Sequence, residues 1–152
     1  MNILVCISCV PDTTSKINFK EGNSSFDSQG VQFVINPNDE FGLTRAIWLQ
    51  QKLGAKVTVV TVGDESCDPI LRKGLAIGAD QAIRINVEPR DGFQVASILS
   101  TICKDKNYDL IITGRDSIDY NGGMVGGMLA TICEMPYLAN CIHLEIDGNN
   151  VN

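Results

Sequence analysis

The side chains that build most catalytic and metal sites are scarce in this 152-residue sequence. Histidine occurs once, as His143, and Cys6 and Cys9 are the one closely spaced pair among six cysteines. A structural zinc site takes four such ligands, usually as two short-spaced pairs, and a serine-histidine-acid triad needs a histidine beside its nucleophile. We therefore predict no metal site and no catalytic residue, which argues against an enzyme. We interpret the histidine as a structural residue in a strand.

Positive charge and long apolar runs are also scarce. Twelve lysines and arginines stand against 18 acidic residues, for a net charge of −6, so no basic patch is available for nucleic acid or an anionic membrane surface. No apolar stretch approaches the roughly 20 residues that span a bilayer, and no basic signal-peptide segment precedes the first apolar run. We expect a cytoplasmic protein with no nucleic-acid partner, no membrane insertion and reduced, buried cysteines.

The Cys6 and Cys9 pair does not stand in the setting of a redox motif. Redox pairs with two intervening residues begin a helix, where the helix dipole lowers the pKa of the thiol. Here the pair lies inside the apolar run 2–9, which predicts a strand that is buried on both faces. We therefore expect no redox chemistry from this pair.

Two common phosphate-binding motifs, Gly-x-Gly-x-x-Gly and the Gly-Lys-Ser/Thr loop, are absent, but one segment is rich in glycine. Residues 114–127 read GRDSIDYNGGMVGG, between an apolar run at 108–113 and a helix-like stretch at 128–133. A strand, a glycine-rich turn and a helix can present backbone N–H groups to a phosphate. Close packing of a helix against a strand also favours small residues, so both interpretations stay open.

Within this segment, different residues suit different parts of a ligand. Gly122 and Gly123 would place N–H groups at a helix start. Arg115 is its one cation, and it either pairs with a phosphate or is a solvated loop charge. Ser117 could donate its hydroxyl. Asp119 would repel a phosphate, so it suits ribose hydroxyls, backbone N–H groups or helix capping.

Strands alternate with helices along the chain, which predicts right-handed βαβ units and a single domain over residues 1–152. The expected fold class is α/β, with three layers: a mostly parallel sheet, helices on both faces, and an added β-hairpin from the runs 16–20 and 31–35. Ligands bind where the strands of such sheets end, so the loops after Ile7, Val62 and Thr113 should converge on one crevice. The predicted strands are 2–9, 56–62, 81–85, 108–113 and 137–146, and the predicted helices are 40–53, 68–77, 93–104 and 128–133.

Four stretches, in this order and spacing, resemble the electron transfer flavoprotein beta subunit over almost the whole chain. They are residues 1–20 (MNILVCISCVPDTTSKINFK), Asn36-Pro37 followed by Glu40, residues 71–83 (LRKGLAIGADQAI) and residues 114–130 (GRDSIDYNGGMVGGMLA). The resemblance implies a Rossmann-like, adenine-nucleotide-binding domain that forms a heterodimer with an alpha subunit. Such a subunit supports electron transfer from flavin dehydrogenases through the FAD of the alpha subunit.

The resemblance also implies a ligand, either AMP or the adenylate part of FAD. The cofactor-binding residues that it implies are Cys6, Asn36, Asp39, Val62, Gly114, Arg115, Ser117, Asp119, Asn121, Gly122, Gly123, Met124 and Val125. Where the AMP-type loop reads Asn-Gln-Thr-Gly, residues 123–126 read Gly-Met-Val-Gly, so phosphate contacts would shift to backbone N–H groups. The Val-Gly pair is closer to the electron-bifurcating form, but Gly127 replaces the proline of that form, so AMP versus FAD stays open.

Family members are considerably longer, so we interpret this chain as truncated at its C-terminus. Two other classes fit less well. A stand-alone adenine-nucleotide-binding regulator of the universal-stress type would share the layout and the pattern Gly123-x-x-Gly126, but its later Gly-Ser or Gly-Thr pair is missing at 135–138. An adenylating ATP-pyrophosphatase would need a Ser-Gly-Gly loop after the first strand, where this chain has Ser8-Cys9-Val10-Pro11.

Overall fold

The computed structural model describes residues 1–20, 22, 24–148 and 150–151. In chain order, its elements over these residues are β1 (Asn2–Cys6), β2 (Cys9–Pro11), β3 (Asn18–Phe19), β4 (Phe26–Asp27), β5 (Phe33–Ile35), α1 (Pro37–Leu53), β6 (Lys56–Val62), a 3-10 helix (Glu65–Cys67), α2 (Asp68–Ile77), β7 (Gln81–Ile85), α3 (Gly92–Lys106), β8 (Leu110–Ile112), α4 (Val125–Ile132), β9 (Ile146–Asp147) and β10 (Asn150–Val151). The bounds of β6, α2 and β7 are those predicted from the sequence.

A parallel sheet with the strand order β7-β6-β1-β8 forms the centre of the fold. Of its two central strands, β1 is almost continuously apolar and β6 is rich in valine, because both of their faces are covered. Along β1, Ile3 and Val5 belong to one buried cluster, and Leu4 and Cys6 belong to the other. This alternation follows from the two-residue period of a strand.

Helices cover both faces of this sheet. Leu43 of α1 and Ile70 of α2 pack into the cluster on one face, and Leu99 of α3 and Leu129 of α4 pack into the cluster on the other. The result is three layers with a parallel sheet in the middle, so the predicted α/β fold class is confirmed. Among the described residues, no helix combines the length and the apolar character needed to cross a membrane.

Three helices begin earlier than the sequence pattern predicted. α1 begins at Pro37 rather than residue 40, because proline lacks an N–H and fits the first turn of a helix. α3 begins at Gly92, where the Asp91 carboxylate caps it by accepting a 2.7 Å hydrogen bond from Gln94 N. α4 begins at Val125 rather than residue 128. Apolar periodicity locates the buried turns of a helix, and its first polar or glycine-rich turn escapes detection.

The region between β1 and α1 pairs differently from the prediction. The first strand ends at Cys6, and residues 9–11 form β2, which pairs antiparallel with β5. A hairpin is present, but it joins β3 to β4. The runs 16–20 and 31–35 were predicted to pair with each other, and that pairing is wrong. Alternation in the sequence identifies β-rich runs without saying which neighbour supplies the hydrogen bonds.

The strand predicted over residues 137–146 is also wrong. Only its last residue belongs to a strand, the two-residue β9, which pairs with β10. Leu138 and Ile142 are 70% and 101% exposed. A β-rich run becomes a strand only where a neighbouring backbone offers hydrogen bonds, and no described strand pairs with residues 137–145.

Because residues 137–145 do not form a strand, the expectations for Cys141 and His143 are also wrong. All six cysteines are free thiols; Cys6, Cys67 and Cys103 are buried and Cys9 and Cys133 are partly buried, but Cys141 is exposed rather than buried. His143 lies outside any strand, and its exposed imidazole is 3.4 Å from Glu145 Oε1. Both residues were expected in a buried strand, and both lie in the exposed stretch instead.

Candidate functional site

A cavity of about 550 Å³ lies at the carboxyl ends of β1, β6 and β8. The loops after Ile7, Val62 and Thr113 all line it, which confirms the predicted convergence. β1 lies between β6 and β8, so the chain crosses to opposite sides of this strand, and such switch points are the usual ligand sites of open parallel sheets. The volume is typical of a small-molecule site.

Most residues predicted to bind a cofactor surround this cavity. Those that line it are Cys6, Asp39, Val62, Gly114, Arg115, Ser117, Asp119, Gly122, Gly123 and Val125. Three others are not part of the lining: Asn36 is buried, and Asn121 and Met124 are exposed. The fold therefore brings the predicted segments together, and their contact with a nucleotide stays a prediction.

Asp39 is a buried carboxylate that joins the loops after two neighbouring strands. Its Oδ2 accepts a 2.7 Å hydrogen bond from Ser8 N, and its Oδ1 accepts a 2.9 Å hydrogen bond from Gly114 N. Burial raises the pKa of Asp39 from 3.8 to about 6, because desolvation of the carboxylate outweighs its hydrogen bonds with Ser8, Asn36 and Gly114. The side chain thus holds the cavity wall together, at an electrostatic cost near neutral pH.

Asn36 holds the same wall from beneath the glycine segment. It is the N-cap residue of α1, but its side chain does not cap the helix. Instead its Nδ2 donates to Asp116 O at 2.8 Å, and its Oδ1 accepts from Ile118 N at 3.2 Å. The side chain is 1% exposed. The amide side chain of asparagine both donates and accepts a hydrogen bond here. Asparagine therefore suits this position better than a side chain that can only donate or only accept.

Asn36→Ala is expected to lower the free energy of unfolding by about 2–4 kcal/mol, because Ile118 N loses its partner and Asp116 O keeps only its hydrogen bond from Asn38 Nδ2. Urea denaturation followed by circular dichroism measures the loss. Asn36→Asp keeps the acceptor for Ile118 N, but it replaces the donor by a buried negative charge against Asp116 O and beside Asp39, so it should be at least as destabilising as alanine. An alanine variant as stable as the parent would mean that the glycine segment does not depend on this side chain.

The first backbone amides of α4 have no hydrogen-bond partner among the described residues. Met128 N donates to Met124 O at 3.1 Å, but the N–H groups of Val125, Gly126 and Gly127 have no acceptor, and no side chain caps the helix. Val125 and Gly126 also line the cavity. Unpaired N–H groups and the positive end of the helix dipole make such a terminus suitable for an anion.

Negative charge dominates the lining of the cavity. The acidic residues there are Asp39, Asp64, Glu88, Asp116 and Asp119, and Arg115 is the one cation among the lining residues described. The Arg115 Nη2 lies 3.1 Å from Asp116 Oδ2, with the arginine side chain largely exposed, so its charge is already paired. An anionic ligand would therefore depend on backbone amides, as the acidic composition suggested.

A Cβ would clash at three of the five glycines in the segment. A Cβ on Gly114 would overlap Asp39 Oδ1, a Cβ on Gly122 would overlap the exposed Tyr120 ring, and a Cβ on Gly126 would lie 2.7 Å from Thr113 Oγ1. The close-packing interpretation therefore applies at these three positions. At Gly127 a Cβ would meet Tyr137 at 3.5 Å, which is an ordinary contact, so packing does not require glycine there.

Sequence reasoning missed two cysteines of the cavity wall. Cys9, the first residue of β2, and Cys67, the last residue of the 3-10 helix, both line the cavity. Cys6 is buried in the opposite cluster, beside Cys103, so it does not act as a pair with Cys9. Their position in the sequence could have identified them as lining residues, because Cys9 follows β1 and Cys67 follows β6, and the loops after these strands were predicted to converge. No group of three or more potential metal ligands occurs in the described part of the chain.

Fold and cavity together define an α/β protein with a ligand-sized site at the switch point of a parallel sheet. The electron transfer flavoprotein domain matches residues 24–152. The chain therefore belongs to the electron transfer flavoprotein family, which confirms the resemblance seen in the sequence.

Named relatives agree with this membership. The chain is 36% identical to electron transfer flavoprotein subunit beta of Bacillus subtilis over 154 residues, which cover 99% of this chain and 59% of that protein. It is 33% identical to the subunit of the same name from Thermoanaerobacterium thermosaccharolyticum, with the same two coverages. Protein FixA of Azotobacter vinelandii is 35% identical over 86% of this chain and 48% of that protein. The chain thus spans less than two thirds of the length of these relatives.

Proposed function

We propose that this chain is the nucleotide-binding part of an electron transfer flavoprotein beta subunit. Its cavity would hold AMP or the adenylate part of FAD. It would form a heterodimer with an alpha subunit that carries FAD and receives electrons from flavin dehydrogenases. Family membership and the names of the relatives support the role in electron transfer, and the cavity at the switch point supports the ligand class.

A set of unsatisfied polar groups around the cavity carries the nucleotide proposal. Ser117 is 8% exposed and lines the cavity, yet its hydroxyl has no hydrogen-bond partner among the described residues. The unpaired amides of Val125 and Gly126 line the same space. Buried polar groups nearly always have partners, and leaving one without costs about 1–3 kcal/mol. A phosphate offers acceptors to the hydroxyl and to the amides at once.

The residues present fit an adenine nucleotide in a specific way. The amides at the start of α4 and the Ser117 hydroxyl would bind the phosphate, and the Asp119 carboxylate would accept hydrogen bonds from ribose hydroxyls. Arg115 would contribute little, because its guanidinium already pairs with Asp116. A bound flavin supplies electron transfer in the complex, and the residues of this chain would bind and orient the nucleotide. We assign no catalytic residue.

AMP is expected to bind the purified chain at least about tenfold more tightly than adenosine, because charge-assisted hydrogen bonds to the phosphate contribute about 1.5–3 kcal/mol. Isothermal titration calorimetry measures both affinities. Ser117→Ala should lower the affinity for AMP by about tenfold, and Arg115→Ala should lower it by less than about threefold, since an exposed ion pair contributes little.

Salt dependence provides a second readout of the same site. Because the lining is mostly acidic, added salt screens repulsion of the phosphate, and AMP affinity should not fall as salt is raised. Equal affinities for AMP and adenosine would contradict the phosphate site. A steep loss of affinity with salt would mean that side-chain cations, rather than amides, bind the phosphate.

The identity of the nucleotide and the partner requires a different experiment. Mass spectrometry of the ligand released from the native complex distinguishes AMP from FAD. Co-purification tests for a flavin-containing alpha subunit. A native complex without any nucleotide in the cavity of this subunit would overturn the ligand proposal, and a failure to recover a flavoprotein partner would overturn the proposed role.

A further inference from the structure

Asn121 and Gly122 form a chemically reactive dipeptide in the loop between β8 and α4, where Gly122 lines the cavity. Asparagine is a thermolabile residue, because the backbone nitrogen that follows it can attack its side-chain amide carbon. Glycine allows this approach best, because it has no Cβ. Asn121 is the one asparagine in the sequence that glycine follows. The fold then decides whether the two reacting groups are free.

Both reacting groups are free in the structure. Asn121 is exposed, and its side chain makes no hydrogen bond with the described residues. Gly122 N has no hydrogen-bond acceptor among these residues either. A helix or a strand would hold this nitrogen in a hydrogen bond, but the pair lies outside both. The nitrogen can therefore approach the side chain of Asn121 without breaking a hydrogen bond.

The same peptide bond closes a turn that positions Ser117. Ser117 N donates to Gly122 O at 3.1 Å, and Asn121 N donates to Ser117 O at 2.9 Å. Ser117 is the buried residue that lines the cavity with an unpaired hydroxyl. An additional backbone atom between Asn121 N and Gly122 O would change the spacing of this donor and this acceptor, so both hydrogen bonds depend on an intact asparagine.

We propose that Asn121 is a modification site at which this chain deamidates, and that its isoaspartate form opens the turn around Ser117. Gly122 N attacks the side-chain amide carbon of Asn121, so that a C–N bond forms, the bond to the side-chain nitrogen breaks, and ammonia leaves with the proton of Gly122 N. Water then adds to either carbonyl carbon of the succinimide ring, and a ring C–N bond breaks. The product is aspartate or isoaspartate, and no electron is transferred.

The two products differ in what they change. Both place a carboxylate beside a lining that is already acidic, and this charge repels a phosphate. Isoaspartate also lengthens the backbone by one atom between Asn121 N and Gly122 O, and this displaces Ser117. Deamidation would therefore weaken the binding of AMP, a consequence that rests on the proposed function.

Peptide mapping of the full 152-residue chain tests the reaction. Trypsin cleaves after Arg115, and no lysine or arginine follows, so peptide 116–152 contains both Asn121 and Asn140. Asn140 is the matched internal control: it is exposed, and its φ is 53° against 57° for Asn121, but cysteine follows it. The chain is incubated in mildly alkaline buffer, and an unincubated sample gives the background.

Fragmentation of this peptide should locate a mass gain of about 1 Da at Asn121. Asn121 should react at least about tenfold faster than Asn140, because a Cβ on the following residue obstructs ring closure. An Asn121 that reacts no faster than Asn140 would overturn the proposal.

Hydrogen exchange tests the opening of the turn without any nucleotide. The amide hydrogens of Ser117 and Asn121 should exchange about fivefold faster in the incubated chain, because each loses a hydrogen bond. Asn121→Gln would need a larger ring to react, so incubation should leave its exchange unchanged. Asn121→Asp has the charge without the additional backbone atom and should keep the turn. Unchanged exchange in a chain that contains isoaspartate would overturn the proposal.

Titration with AMP separates this proposal from the proposed function. Incubation should lower the affinity of the parent chain for AMP by about tenfold or more, and it should leave the affinity of Asn121→Gln unchanged. An isoaspartate chain with an opened turn and undiminished affinity would contradict the proposed contact between Ser117 and the phosphate. If the fresh chain does not bind AMP, the proposed function fails, and peptide mapping and hydrogen exchange still decide the modification.

Discussion

Gly114→Ala is expected to lower the free energy of unfolding by about 3 kcal/mol or more, because the new methyl group has no space and cannot create it. Its Cβ would overlap Asp39 Oδ1 and lie 3.0 Å from Asp39 N and 3.1 Å from the carbonyl carbon of Asn38. Two of these neighbours are backbone atoms of α1. The Asp39 side chain is 4% exposed and is held by Ser8 N at 2.7 Å, so it has no alternative position.

The consequence reaches the candidate site, because a displaced Gly114 breaks the hydrogen bond that joins the loops after β1 and β8. AMP affinity should therefore fall together with stability. Urea denaturation and calorimetric titration of the same preparation measure both quantities.

Two variants identify the cause of this loss. Gly127→Ala adds a methyl group in the same segment, where the nearest atom is 3.5 Å away, and it should be neutral or stabilising by up to about 1 kcal/mol, because alanine favours a helix. In an Asp39→Ala background, Gly114→Ala should cost less than in the parent, because one of its overlaps has been removed. An equal cost in both backgrounds would mean that overlap with the carboxylate is not the cause.

Asp39→Asn is expected to remove a large part of the pH dependence of stability between about pH 4 and pH 7. Burial raises the pKa of Asp39 from 3.8 to about 6, so over this interval the folded chain binds a proton that the unfolded chain releases. This contribution is fully present below pH 3.8, and it is lost as the pH rises through 6. The size of the change is about 3 kcal/mol, because each tenfold difference in proton affinity between the folded and unfolded chain corresponds to about 1.4 kcal/mol.

The experiment compares the free energy of unfolding of Asp39→Asn with that of the parent as a function of pH. The free energy of unfolding of Asp39→Asn, relative to the parent, should rise by about 2 kcal/mol from pH 4 to pH 7, which is most of the full change, as measured by urea denaturation at dilute protein. Asp105→Asn removes the same charge from an exposed position on α3 and should show a much smaller change. Parallel curves for Asp39→Asn and the parent would mean that Asp39 is ionised throughout this range in the folded chain.

The central elements could be predicted from the sequence because their signals are local. β6 is a seven-residue run rich in valine and threonine between Gly54 and Gly63, and α2 has proline in its first turn and Gly78 at its end. Such runs contain their own start and stop signals. The glycine segment could be recognised for the same reason, because its glycines are close together in the sequence. The predicted parallel sheet then indicated that its loop lies beside the loops after β1 and β6.

The details of the site could not be predicted in this way, because they depend on pairs of distant residues. The bond between Asp39 and Gly114 joins positions 75 residues apart, and that between Asn36 and Asp116 joins positions 80 apart. The failed strand over residues 137–146 has the same origin, since a strand exists only when another strand pairs with it. Spacing within one segment contains no information about these partners.

The sequence by itself determined the order of the four strands of the central sheet and the four helices, the α/β class and the loops that meet at the end of the sheet. Apolar periods, glycine and proline act over a few residues, and handedness rules then leave few ways to connect the elements. Only the tertiary structure decided that Asp39 is a buried bridge, that Asn36 is hydrogen-bonded to the glycine segment and that the first amides of α4 are left unpaired. These properties arise from burial and from contacts across the sheet, which exist only after the loops have come together.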